Sequence, residues 1–263
     1  MPKAMVNGTE LNYRDAGTAK DVVLFLHAFP LHSGMWARQL AALEKRHRVV
    51  ALDYRGLGKS GMPPEASPMD LLAQDVRALL QHLRIERAAV VAMSMGGYLA
   101  FELYRELPGL FRGIVLCDTK AGADTDEGKA TREKFAQTAL EKGLGWVADE
   151  MMPKLLRPEP DPAVVKEVRS LITGSTPAGV AAAQRGMARR PDSTPTLATI
   201  TCPALVIVGA EDALTPPAES EKLAAGVKGA KLVVIPGAGH LSNLDAPDAF
   251  NRALSAFVDP LPA

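Results

Sequence analysis

Ser94 stands where an apolar run meets small residues, in Val90-Val91-Ala92-Met93-Ser94-Met95-Gly96-Gly97. A serine held on a sharp strand-to-helix turn needs small neighbours two residues to either side, because strand and helix approach closely there. Such a turn lifts the hydroxyl above the sheet, and the helix N-terminus behind it favours developing negative charge. Ala92 takes the place of the first glycine of the G-x-S-x-G pattern, a departure of one methyl group. Taken alone, Ser94 reads equally well as a helix N-cap.

Two further segments separate those readings. Gly209-Ala210-Glu211-Asp212 follows directly on the apolar run Leu205-Val206-Ile207-Val208, and Gly237-Ala238-Gly239-His240 follows the next apolar run. Residues just after successive parallel strands emerge at one edge of the sheet, where ligands bind. Ser94, Asp212 and His240 therefore share an edge, in the chain order expected for a serine nucleophile on a strand–turn–helix elbow. The chemistry this predicts is acyl transfer, with Ser94 attacking, His240 as base and Asp212 orienting the imidazole. Asp118, ending the run before, is the alternative acid, and Glu211 is less well placed. His47 and His82 fall near helix ends, His32 lies in a loop, and His27 in His27-Ala28-Phe29-Pro30 is expected to hold loop conformation.

Gly56-Leu57-Gly58-Lys59-Ser60-Gly61 matches G-x-G-x-x-G in form, but a phosphate loop needs a helix to begin there. Met62-Pro63-Pro64 follows instead, so the segment is expected to be a structural loop beside the site. No C-x-x-C or H-E-x-x-H pattern is present and the histidines are scattered, so neither a metal nor another cofactor is expected.

The elements that must position these residues alternate regularly. Apolar runs at about 21–27, 48–53, 88–93, 112–118, 203–209 and 231–236 predict strands covered by helices on both faces of a mostly parallel sheet. Residues 3–14, broken by Asn7-Gly8, predict an antiparallel hairpin at its edge. Ser67 is read as an N-cap with Pro68 at the first helical position, and Ser33 as the cap of a helix near Met35. A helix from Ser94 towards Leu107 stops at Pro108-Gly109. Between 119 and 200 the alternation fails, giving helical segments at about 128–142, 146–156, 162–172 and 177–189. The organisation read from this is an α/β core of residues 1–118 and 201–263, with 119–200 as an inserted helical lid. A purely structural helical subdomain is the alternative.

The chain of 263 residues is long enough for a large core, and its 30 Lys plus Arg balance 30 Asp plus Glu. That balance supplies no field for nucleic acid or an anionic membrane. No secretory signal and no apolar segment of spanning length is present, and Cys117 and Cys202 sit in apolar runs as expected of reduced thiols. These features predict a cytosolic protein acting on a small molecule, with oligomeric state left open.

With these pieces assembled, the chain resembles the α/β-hydrolase superfamily, and within it the small esterase, 3-oxoadipate enol-lactonase and cofactor-free haloperoxidase group. The resemblance rests on His27-Ala28-Phe29-Pro30, Asp53-Tyr54-Arg55-Gly56-Leu57-Gly58-Lys59-Ser60, the Ser94 turn and the loops of Asp212 and His240. Ala28 replaces the glycine usual after the first histidine. The resemblance implies an oxyanion hole from the backbone N–H groups of Phe29 and Met95, and a serine hydrolase of small carboxylic esters or lactones. Trp36, Trp146, Met151 and Leu155, with Phe29 and Met152, are candidate apolar walls of its pocket. Arg185 and Arg189, one helical turn apart, would suit a carboxylate-bearing lactone if they faced inward, and otherwise form a solvated pair. Carbon–carbon bond hydrolysis, incidental perhydrolysis and a slow ligand-binding or signalling role stay open as alternatives.

Overall fold

The computed structural model describes residues 1–262. Its strands are β1 Lys3–Val6, β2 Thr9–Ala16, β3 Val22–Leu26, β4 Arg48–Leu52, β5 Ala88–Met93, β6 Phe111–Cys117, β7 Ala204–Gly209 and β8 Lys231–Ile235. Its helices are α1 Ala37–Leu43, α2 Met69–His82, α3 Met95–Glu106, α4 Asp126–Leu155, α5 Pro162–Thr173, α6 Pro177–Ala188, α7 Thr194–Leu197, α8 Pro217–Gly226, α9 Ser242–Asp245 and α10 Pro247–Val258. No helix among the described residues is long and apolar enough to cross a membrane.

The eight strands form one sheet in the order β1-β2-β4-β3-β5-β6-β7-β8. β1, β2 and β4 pair antiparallel, and every pairing from β4 to β8 is parallel. The near-continuous apolar runs of β3, β5, β6 and β7 are buried at every position, as helices on both faces require. Asn7 and Gly8, both at positive φ, make the tight turn of the β1–β2 hairpin. From β3 the chain steps to β4 on one side and later to β5 on the other. Strand order therefore reverses between β3 and β5, the place where a crevice opens at the carboxyl ends of parallel strands.

Two helix starts differ from the sequence reading. Pro68 is extended (φ −67°, ψ 161°) and is itself the N-cap of α2, so Ser67 lies one residue too early to cap. Its backbone instead donates to Ala182 O of α6 at 2.9 Å. At the other start, His32 caps the 3-10 turn Ser33–Trp36 by accepting from Gly34 N, and Ser33 is inside the turn. The helices α4 to α7 lie between β6 and β7 in the chain, and α4 breaks at Gly143 (φ 75°), the gap left between the two predicted segments.

Candidate active site

The carboxyl ends of β5, β6, β7 and β8 are level with one another. Met93 pairs with Cys117, Cys117 with Ile207, and Gly209 with Ile235. The loops that follow carry Ser94, Asp118, Asp212 and His240 to a common edge. There Ser94 Oγ lies 2.8 Å from His240 Nε2, and His240 Nδ1 lies 2.9 Å from each carboxylate oxygen of Asp212. His240 and Asp212 are almost wholly buried.

Local structure explains each placement. Ser94 holds φ 53° and ψ −114°, a conformation that non-glycine residues adopt only when their surroundings impose it. Its N–H donates to Cys117 O and its C=O accepts from Thr119 Oγ1, so β6 and the loop after it fix the turn. At Gly96 a Cβ would overlap the carbonyl of Leu26, which is why α3 can start so close to the end of β3. Asp212 accepts from Leu214 N, Thr215 N and Thr215 Oγ1 besides His240. Burial opposes its charge, but the hydrogen bonds and charge of His240 and the Thr215 donors outweigh it and hold the carboxyl below its ordinary range. The His240 loop is braced from α4, since Leu241 N donates to Leu155 O at 3.0 Å.

The loop after β3 faces Ser94. His27 is buried, its Nδ1 3.0 Å from Ala28 O, while Nε2 accepts from Tyr54 N at 3.2 Å. Its ring stacks on Tyr54 at 3.8 Å between centroids. Burial lowers its pKa to about 4, so the neutral ring acts as a fixed strut. Among the described residues neither Phe29 N–H nor Met95 N–H is engaged in a hydrogen bond. The 53–61 segment wraps around Asp53, which accepts from Asn12 Nδ2, Ser33 N and Lys59 N. It carries no helix start. Gly56 O and Gly58 N instead bond Thr176 and Ser175 at the head of α6.

Above Ser94 opens a cavity of about 320 Å³, lined by the apolar Phe29, Phe135, Met151, Met187 and Leu214 and by the polar Tyr98, Lys120, Asp124, Arg132 and Gln184. Four of the six expected wall residues are elsewhere. Trp36 is fully buried in the core, 5.2 Å from Phe25 and 6.1 Å from Phe250 between centroids, because its helical turn faces the sheet. Leu155 is fully buried where α4 meets the His240 loop. Trp146 forms a second layer, packed 4.9 Å from Phe135, which itself reaches the cavity. Met151 lines the cavity; Met152 does not. Arg185 is turned to Glu133 at 2.8 Å, and neither it nor Arg189 lines the cavity.

Asp118 does not contact His240. Its Oδ1 accepts from Gly209 N at 2.8 Å and its Oδ2 lies 2.5 Å from Ser242 Oγ. Burial, reinforced by the charge of Asp212, pushes its pKa well above the usual carboxylate range. Tyr98, Lys120, Asp124 and Arg132 were not singled out by sequence. Tyr98 is one helical turn after Ser94, and Lys120 and Asp124 follow β6 at the same edge, so position is the signal that could have found those three. Nothing in the sequence oriented Arg132.

The model of the alpha/beta hydrolase fold family matches residues 21–247. The chain is 31% identical over 252 residues to 3-oxoadipate enol-lactonase 2 of Acinetobacter baylyi, covering 94% of this chain and 92% of the other. Among solved structures it is similar to a malate-bound thermophilic esterase from Thermogutta terrifontis, with a TM-score of 0.95, 36% identity and coverage of 100% and 99%. It is also similar to the enol-lactonase from Burkholderia xenovorans, with a TM-score of 0.91, 31% identity and coverage of 98% and 100%.

Proposed function

Since the chain belongs to the alpha/beta hydrolase fold family, we propose that it is a serine hydrolase cleaving small carboxylic esters or lactones through an acyl-enzyme on Ser94. The observation that carries this is the chain of hydrogen bonds from Asp212 through His240 to Ser94 Oγ at the floor of the cavity. His240 Nε2 takes the hydroxyl proton as Oγ attacks the carbonyl carbon, while Asp212 holds the proton on Nδ1 and stabilises the imidazolium. The oxyanion is received by Phe29 N–H and Met95 N–H, each contributing about 3–4 kcal/mol when aimed at the tetrahedral intermediate. His240 then returns its proton to the leaving alcohol, which departs, and activates the water that releases the acid. Residues 119–200 act as a lid whose inner surface supplies Phe135, Met151 and Met187 to the cavity. The esterase and enol-lactonase relatives support ester and lactone carbonyls as the substrate class.

The test is a p-nitrophenyl ester series, acetate to octanoate, run beside Ser94→Ala. The expected result is hydrolysis by the parent protein that falls by about three orders of magnitude or more in the variant. Hydrolysis that survives the substitution would overturn the assignment.

A further inference from the structure

The cavity carries charge that acyl transfer at Ser94 does not use. In a chain with 30 basic and 30 acidic side chains, its lining holds Lys120, Arg132 and Lys154 against a single carboxylate, Asp124. Lys154 is paired with Glu150 on the outside. Asp124 is already matched from behind. Arg190, itself buried, grips both its oxygens at 2.7 and 2.8 Å and spends further N–H groups on the carbonyls of Met187 and Gly122. That pairing is one for one. Arg132 Nε is also paired with Asp124, donating to its Oδ2, and Nη1 donates to Gln184, while Nη2 has only a 3.5 Å contact. Lys120 Nζ comes no closer than 3.9 Å to Asp124, and among the described residues it donates no hydrogen bond. One carboxylate is thus shared by Arg190, Arg132 and Lys120, which leaves the cluster with two more cations than acids.

Tyr98 lines the same cavity as this cluster and the nucleophile. Four residues along α3 place it about 6 Å from Ser94, and the Arg190 guanidinium lies 4.1 Å above its ring. Tyr98 lines the cavity, and among the described residues its hydroxyl donates no hydrogen bond. Burial pushes its pKa up, so it keeps its proton and remains a donor. Excess cations in a partly enclosed site are costly unless an anion joins them, and an ammonium with a guanidinium and a phenol suits a carboxylate.

Building on the Ser94 acyl-transfer reading, we propose that Lys120 and Arg132, assisted by Tyr98 O–H, form a carboxylate subsite. The substrate is then an ester or lactone carrying a carboxylate a few carbon atoms from the scissile carbonyl.

The experiment compares monomethyl succinate, glutarate and adipate with the methyl esters of butyrate, pentanoate and hexanoate, matched in chain length. The parent, Lys120→Gln and Arg132→Gln are assayed, and binding of glutarate to each is measured by calorimetry. The expected result is a kcat/KM ratio favouring the anionic ester by about tenfold or more. The ratio falls towards one in Lys120→Gln, shrinks with added salt, and glutarate affinity weakens in parallel. A ratio of one or below in the parent, with glutarate unbound, overturns the subsite while leaving the hydrolase reading intact. Glutarate binding that depends on Lys120 and Arg132 in a protein that cleaves neither ester type keeps the subsite and removes the hydrolase reading. Glutarate binding that neither substitution changes overturns the subsite.

Discussion

His240 can take a proton from Ser94 only while Nε2 is bare and Nδ1 is protonated, and the carboxylate of Asp212 at 2.9 Å favours that tautomer. Asp212→Asn is therefore expected to lower kcat by about 10⁴ at neutral pH, as loss of the orienting charge does in serine proteases. Asp118→Asn is expected to retain most activity, because an amide can still accept from Gly209 N and donate to Ser242 Oγ. Parallel kinetics on the two variants separate the two acids that sequence left in competition. They also differ in their linkage to pH. The folded-state pKa of Asp118 is raised, so its contribution to stability is complete below about pH 4, its unfolded value, and is lost as pH rises through the folded value. An asparagine does not titrate. Denaturation midpoints measured from pH 4 to 8 should show Asp118→Asn gaining on the parent as pH rises, and a difference independent of pH would contradict this. Residue type and position at a strand end were enough to read Ser94, Asp212 and His240 as a group. The choice against Asp118 needed the loop geometry, since its side chain turns back to tie Gly209 to Ser242.

The turn between β5 and α3 is held by close packing as much as by hydrogen bonds. At Gly96 any side chain meets the backbone of Leu26, which cannot move without disturbing β3 and the Phe29 loop that follows it. Gly96→Ala is expected to cost about 1–3 kcal/mol of stability and to lower turnover at temperatures where the variant is still folded. Thermal unfolding with kinetics at 20 °C checks both, and an unchanged midpoint would refute the packing argument. Element type was legible because parallel strands buried on both faces read as unbroken apolar runs, as in Val22–Leu26 and Ala204–Gly209. Even the break of α4 at Gly143 was signalled by a glycine between two helical stretches. Element facing was less legible. Trp36, Trp146 and Leu155 are apolar residues on helices near the site, and hydrophobicity cannot tell a core-facing position from a cavity-facing one. Only the docking of α4 and of the Ser33–Trp36 turn sends Trp36 and Leu155 inward and leaves Phe135 in front of Trp146.

At the scale of the molecule, the inserted helices meet the core through tight backbone contacts. A Cβ at Gly179 would overlap Gly56 O, and one at Gly186 would overlap Ser67 O, so α6 is seated directly on two core loops. The resulting cavity of about 320 Å³ is at the small end for a ligand site. Short acyl chains should therefore be preferred, with kcat/KM falling between butyrate and octanoate. Phe135→Ala, which opens the wall beside Phe29, should move the optimum to longer chains. An octanoate preference in the parent would contradict the limit set by this small cavity. The run of helices between β6 and β7 is legible as a failure of strand alternation after residue 118, but the cations it brings to the cavity are not. Arg185 and Arg189 share a helix face, yet Glu133 on α4 takes Arg185, while Arg132 on the same helix turns to the cavity. Such partner choices depend on how α4 packs against α6, which no local pattern encodes.

The reading of Ser94 as nucleophile and His240 as its activating base stands or falls on covalent labelling. Treatment with diethyl p-nitrophenyl phosphate followed by intact-mass analysis and peptide mapping tests this most directly. One diethylphosphoryl group per chain is expected, mapped to Ser94, with no adduct in Ser94→Ala and a rate reduced by orders of magnitude in His240→Ala. An adduct on another residue, or unchanged labelling in either variant, would contradict it.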